Sequence, residues 1–93
     1  MAVVGTAQQQ PADTLDWDID FSEFFPPEDV IVSATVQAQP VMAAPPTVQV
    51  RGRVLKVWVY AGNPEGSYKL SVFASTDDGR GKEVELKVKI KDD

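Results

Sequence analysis

Asp16-x-Asp18-x-Asp20, Asp77-Asp78-Gly79-Arg80-Gly81 and Trp58-x-Tyr60 are the places where side chains capable of chemistry or tight binding cluster. The aspartate triplet has the opening spacing of a calcium loop. That loop also needs a glycine at its sixth position and a bidentate glutamate at its twelfth. Phe21 and Pro27 stand there instead. Alternate carboxylates on a strand lie about 7 Å apart, too far to wrap one ion. The same acids could discourage edge-to-edge pairing of their strand. No metal site is expected.

The Asp77 to Gly81 run reads first as a hairpin bend, with glycine supplying positive φ and aspartate capping the turn. It lacks the strand and helix flanks that make a glycine-rich loop a phosphate cradle. A binding tip is the alternative, because sandwiches display their loops. Trp58 and Tyr60 share a strand face with Val54 and Lys56, opposite Leu55, Val57 and Val59. Aromatic rings beside a lysine suit a protein interface. Cover by a loop, or the reverse choice of faces, is the alternative.

Catalysis has no obvious agent. The chain contains no histidine and no cysteine. The commonest general base, the commonest metal ligand and thiol chemistry are thereby absent. No serine sits in a G-x-S-x-G setting. Strand-face and loop-end acids lack the burial that would raise a carboxyl pKa for acid–base work. No catalytic residue, cofactor or metal is assigned.

The net charge of −5 argues against nucleic acid as a partner. Residues 1–50 hold seven acids and no base, hence −7; residues 51–93 hold nine bases and seven acids, hence +2. The halves either neutralise one another within one fold or leave an acidic edge for a basic partner. No apolar run approaches a membrane span, and residues 1–5 lack the basic flank of a signal peptide. Neither a membrane partner nor passage through the secretory route is expected.

The elements that must position these residues are strands. Leu15, Trp17, Ile19 and Phe21 alternate with Asp16, Asp18 and Asp20. A period of two marks a half-buried strand. Pro26-Pro27 ends it, with Phe24 and Phe25 expected in a turn beneath the sheet. Val30, Val32, Ala34, Val36 and Ala38 form one face of the next strand. Thr47 to Arg51, Arg53 to Ala61, Tyr68 to Ser75 and Val84 to Ile90 follow, separated by Gly52, by Gly62 to Gly66 and by the Asp77 bend. These short strands with turn signals between them imply an all-β antiparallel sandwich of six or seven strands. Each strand has one apolar side, so two sheets must face each other. Residues 1–13 show no periodicity and are expected to be a flexible N-terminal arm, with residues 14–93 as one domain.

Gly66-Ser67-Tyr68-Lys69-Leu70-Ser71-Val72, Ala74, Asp77-Asp78-Gly79-Arg80 and Leu86-Lys87-Val88-Lys89-Ile90 resemble the last two strands of immunoglobulin-like domains. A wider series is more telling. It runs through Asp16-Trp17-Asp18-Ile19-Asp20-Phe21-Ser22, Asp29-Val30-Ile31-Val32-Ser33, Val57-Trp58-Val59, Gly62, Gly66-Ser67-Tyr68 and Gly79-Arg80 to the final strand. Spanning Asp13 to Ile90, it resembles the fibre–tail adaptor proteins of tailed bacteriophages. The chain departs from that family where Val36 stands near a frequent tryptophan, and in a longer proline-rich loop at 40–46. The resemblance implies an immunoglobulin-like virion protein in the phage tail, assembled in the bacterial cytoplasm. It would be present in several symmetric copies and join fibres to the tail tube or nozzle. It names no contact residues. From residue type, the expected interface is Trp17, Phe21, Phe24, Phe25, Trp58, Tyr60, Asp78 and Arg80, together with the arm. A capsid decoration or head-completion protein, and a carbohydrate-binding module, are the rival readings.

Overall fold

Alternation of apolar and polar residues builds this molecule almost entirely from strands. A computed structural model describes residues 2–92, with side chains from Gly5 onward. Seven strands run in chain order: β1 (Ala2–Gln9), β2 (Leu15–Asp20), β3 (Ile31–Gln39), β4 (Thr47–Arg51), β5 (Val54–Val59), β6 (Gly66–Thr76) and β7 (Gly81–Ile90). No helix occurs among the described residues. The strands form two sheets, one ordered β1-β7-β6-β3 and the other β2-β5-β4. All pairs are antiparallel except β1 with β7.

The two sheets face each other across one core, so the all-β sandwich expected from the sequence is the observed fold. Leu55, Val57 and Val59 of β5 meet Leu70, Val72 and Ala74 of β6 and Val84 and Val88 of β7, all essentially without solvent contact. These residues recur at every second position, so one face of each strand is removed from water in a single layer. Met42, from the proline-rich loop, fills one flank of the core. Asn63 holds that loop in place. Its Oδ1 accepts from the Ala44 N–H at 2.8 Å, and its Nδ2 donates to the carbonyls of Ala44 and Tyr60.

β4 and β5 join through Gly52 and Arg53, with Gly52 at φ 64°. Glycine at the first central position is what a two-residue hairpin of right-handed twist requires.

Two expectations need correction. Residues 2–9 are a strand, where a flexible arm over residues 1–13 was expected; Met1 lies outside the described residues. β1 runs parallel to β7, with Thr6 opposite Lys87 and Gln8 opposite Lys89. Its inward positions are Ala7 and Gln9, too small or too polar to produce an alternation signal. What docks it is the Gln9 amide. Nε2 donates to the carbonyls of Asp13 and Val59, and Oε1 accepts from Trp17 Nε1 at 3.0 Å.

The second correction concerns β3. Ile31 is buried while Val30 and Val32 are exposed, the reverse of the expected face. The pairing of β3 with β6 slips between Ile31 and Ser33. One extra residue exchanges the faces, so Ile31 points inward and Ala34, Val36 and Ala38 resume the inward side.

Candidate interaction surface

β5 separates its side chains cleanly, and its outer side carries the aromatic pair. Trp58 and Tyr60 lie half-buried on the outer side of the three-stranded sheet, opposite the core residues of the same strand. Trp58 stands between Asp16 of β2 and Thr47 of β4; Lys56 stands between Asp18 and Gln49. The aromatic tips are tied to β4. Trp58 Nε1 donates to Gln49 Oε1 at 3.2 Å, and the Tyr60 hydroxyl shares a 2.8 Å hydrogen bond with Thr47 Oγ1. With those groups satisfied, the ring faces form a fixed apolar platform.

The aspartate triplet borders that platform. Lys56 Nζ lies 2.5 Å from Asp16 Oδ2 and 3.0 Å from Asp18 Oδ1. Its hydrogen bond to Asp16 and then that to Asp18 raise the lysine above its ordinary pKa, and the Lys56 bond lowers Asp16 below its own. Asp20 is held below its usual value by the hydroxyl and N–H of Ser22. Two members of the triplet, Asp16 and Asp18, are thus ion-paired on the strand, and the third is capped by Ser22.

The remaining expected interface residues lie elsewhere. Trp17 points inward from β2 and packs on the core, its indole N–H taken by Gln9. Phe21 and Phe25 are core residues, stacked at a ring separation of 6.1 Å, and offer no surface. Phe24 is half-buried, edge-on to Phe21, with Lys82 Nζ 5.1 Å from its ring centre. Of the four, Phe24 and Trp17 retain partial exposure, and neither shares the Trp58 face.

Asp78 and Arg80 occupy one end of the sandwich, in a knot between the β6–β7 bend and the loop before β3. Arg80 Nη1 reaches both oxygens of the buried Asp29 carboxylate, at 2.9 and 3.0 Å, and Thr76 Oγ1 donates to the same group. Asp77 Oδ1 accepts from the Val30 N–H. Burial pushes the Asp29 carboxyl up, but its bonds to Arg80, Asp78 and Thr76 outweigh that and hold it below the ordinary value. The bond shared with Asp29, and the charges of Asp29 and Asp77, push Asp78 up. Asp29, Asp77 and Asp78 have carboxylate oxygens within 4.8 Å of one another. Arg80 Nη1 lies against two of them, 2.9 Å from Asp29 and 3.7 Å from Asp78.

Residue type alone did not reveal Arg53. Its guanidinium donates to four carbonyls, those of Ser22, Phe25, Pro26 and Asp29, at 2.8–3.2 Å. It fixes the loop carrying Phe24 and Phe25 to the β4–β5 turn. The only signal was indirect: a proline-rich segment outside any strand has carbonyls that need donors.

The opposite side of the molecule differs chemically. On the outer face of the four-stranded sheet, Thr6, Lys87, Lys69 and Gln39 form a row across the strands. They line a groove of about 440 Å³ together with Ser67 and Lys89. Lys69 lies 3.8 Å from Glu85. The two outer faces therefore carry different mixtures, three aspartates around Lys56 on the three-stranded sheet, and Lys69, Lys87 and Lys89 with Glu83 and Glu85 on the four-stranded one. Neutralisation between the halves also occurs, in the Lys56 row and the Arg80–Asp29 pair.

No curated protein matches the chain. Residues 9–89, nearly its whole length, match the family described as podophage GP4 fiber-tail adaptor protein gp77. The matched region takes in the ion-paired row, the aromatic platform and the Arg80 knot. The chain belongs to the podophage fibre–tail adaptor family, a family of structural proteins.

Proposed function

We propose that this chain is a non-enzymatic virion protein that joins tail fibres to the tail tube or nozzle through protein–protein contacts. The observation that carries the reading is the two-sidedness of the sandwich. An adaptor must hold two different proteins at once, and this one presents an aromatic, ion-paired face on one sheet and a groove lined by Lys69, Lys87 and Lys89 on the other. Trp58 and Tyr60 are the centre of the first contact, because satisfied aromatic rings on a rigid strand bury area at little entropic cost. Asp78 and Arg80 add a polar tip at the sandwich end. The scaffold is read as immunoglobulin-like. The four-plus-three division, β1 parallel to β7, and the Tyr68 hydroxyl bonded back to the Pro64 carbonyl at 2.8 Å support that reading. The protein works in the phage tail after assembly in the host cytoplasm.

The test is complementation of a phage lacking this protein with Trp58→Ala. The variant is expected to fold and to lose about 2 kcal/mol of partner affinity, near 30-fold. Virions assembled with it should carry fewer fibres by electron microscopy. A full complement of fibres, with unchanged affinity for tail and fibre proteins, would refute this placement of the contact.

A further inference from the structure

The four-stranded sheet ends in two strands that lack the residues which normally blunt an edge. β1 (AVVGTAQQ) and β3 (IVSATVQAQ) are its outer strands, and neither carries a charged residue or a proline. Among the described residues β3 pairs only with β6, and β1 only with β7. Exposed edges are normally blunted by charge, proline or short length. The other sheet follows that rule: β2 carries three aspartates, and β4 has five residues and ends in Arg51. The contrast lies within one molecule and singles out the four-stranded sheet.

The two edges also match each other. Thr6 to Pro11 reads TAQQQP and Thr35 to Pro40 reads TVQAQP. Thr6 and Gln8 are exposed on the outer side of the sheet, as are Thr35 and Gln37, while Ala7 and Val36 face inward. β1 is parallel to β7, and β7–β6 and β6–β3 are antiparallel. Consequently β1 and β3 point the same way. A groove of about 370 Å³ runs between the consecutive residues Val36, Gln37 and Ala38 of β3 and the loop that follows, which contributes Val41, Met42, Pro45 and Pro46. Consecutive residues belong to opposite faces of a strand, so a groove touching all three runs along its edge.

We propose that the edge of β3 receives β1 of a second copy of this chain as a parallel strand, so that the four-stranded sheet continues from one molecule into the next. The visitor must be extended, uncharged and about nine residues long, and the other end of the same sheet supplies such a strand. Aligning TAQQQP with TVQAQP places Thr6 beside Thr35 and Gln8 beside Gln37 on the outer side, with Ala7 beside Val36 and Gln9 beside Ala38 on the inner side. Like amides stacked across strands hydrogen-bond to one another. The contact is heterologous, so each added copy offers a fresh β3 edge and the series can repeat. It rests on the sheet edges alone and stands or falls separately from the tail and fibre contacts.

The absence of native cysteine makes the test direct. Thr6→Cys and Thr35→Cys chains are purified at full length, mixed and oxidised. The expected product is a dimer linked from position 6 to position 35, and a chain bearing both changes should give a ladder of higher species. Either single variant alone should remain unlinked. A Thr35→Cys homodimer would indicate a two-fold β3–β3 contact and overturn the proposal, as would a mixture yielding no linked dimer. As a second measurement, Thr35→Lys with Gln37→Lys adds charge at two exposed positions. Its melting temperature should match that of the parent, while species larger than monomer disappear in sedimentation. Association unchanged in that folded variant would also overturn the proposal.

Discussion

Arg53 ties four main-chain carbonyls to one side chain and thereby shapes the loop that holds Phe24 and Phe25. Arg53→Ala leaves those carbonyls without donors and is expected to cost about 2–4 kcal/mol in a urea titration, since hydrogen bonds to charged groups are among the stronger ones. Arg53→Lys should recover only part of the loss, because an ammonium lacks the planar fork. Asp29 supports a second residue-level prediction. Its pKa is lowered by folding, so its contribution to stability is present above the ordinary carboxylate value of 3.8 and is lost as pH falls below it. Asp29→Asn should lower the melting temperature at neutral pH and flatten its decline on the acid side. Asp78 has the opposite sign, because folding raises its pKa. Asp78→Asn should leave the neutral-pH melting temperature unchanged or slightly higher. Asp77, Asp78 and Arg80 were visible as one run in the sequence. Their partner Asp29 was not, since it lies 51 positions from Arg80 and meets it only when the β6–β7 bend packs on the loop before β3.

Among the elements, β2, β5, β6 and β7 were legible because their apolar residues alternate and face one core. β1 was not legible, because its anchor is a buried amide rather than an apolar face. Gln9→Ala should remove three hydrogen bonds and leave Trp17 Nε1 without a partner. The expected cost is about 1–3 kcal/mol. Hydrogen exchange should show protection lost at Thr6–Gln9 while β6 and β7 stay protected; equal loss across the sheet would mean that β1 is not a separate unit. The β3 face was misassigned for a related reason. Alternation fixes a face only while pairing is uninterrupted, and a bulge at Val32 changes parity without changing composition.

For the whole molecule, the core and the proposed contact surface lie back to back on β5. Leu55→Ala should destabilise the sandwich by about 2–5 kcal/mol through the cavity it leaves. Trp58→Ala, three residues along and on the opposite face, should act mainly on binding. Parallel melting and affinity measurements on the two variants separate these roles, and equal loss of melting temperature would place Trp58 in the core. The division of charge between the outer faces is likewise a property of the assembled sandwich. Asp16, Asp18 and Asp20 gather around Lys56 on one sheet, while Lys69, Lys87 and Lys89 lie with Glu83 and Glu85 on the other.

Short-range pattern was enough to specify an all-β sandwich, most of its core, the bends between its strands and its likeness to the fibre–tail adaptors. Those features depend on periodicity and turn chemistry, which each few residues express locally. Folding settled what depends on contacts between distant segments: the strand made of residues 2–9, the inward turn of Ile31, the burial of Phe21 and Phe25, and the grips of Arg53 and Arg80. A polar side chain has no periodic signature, and its role follows from whichever main-chain or carboxylate groups the packed sheets bring within hydrogen-bonding distance. The Asp77 to Gly81 bend shows both halves of this. Its glycines and aspartates announced a turn, and the packed structure made that turn the anchor for Asp29.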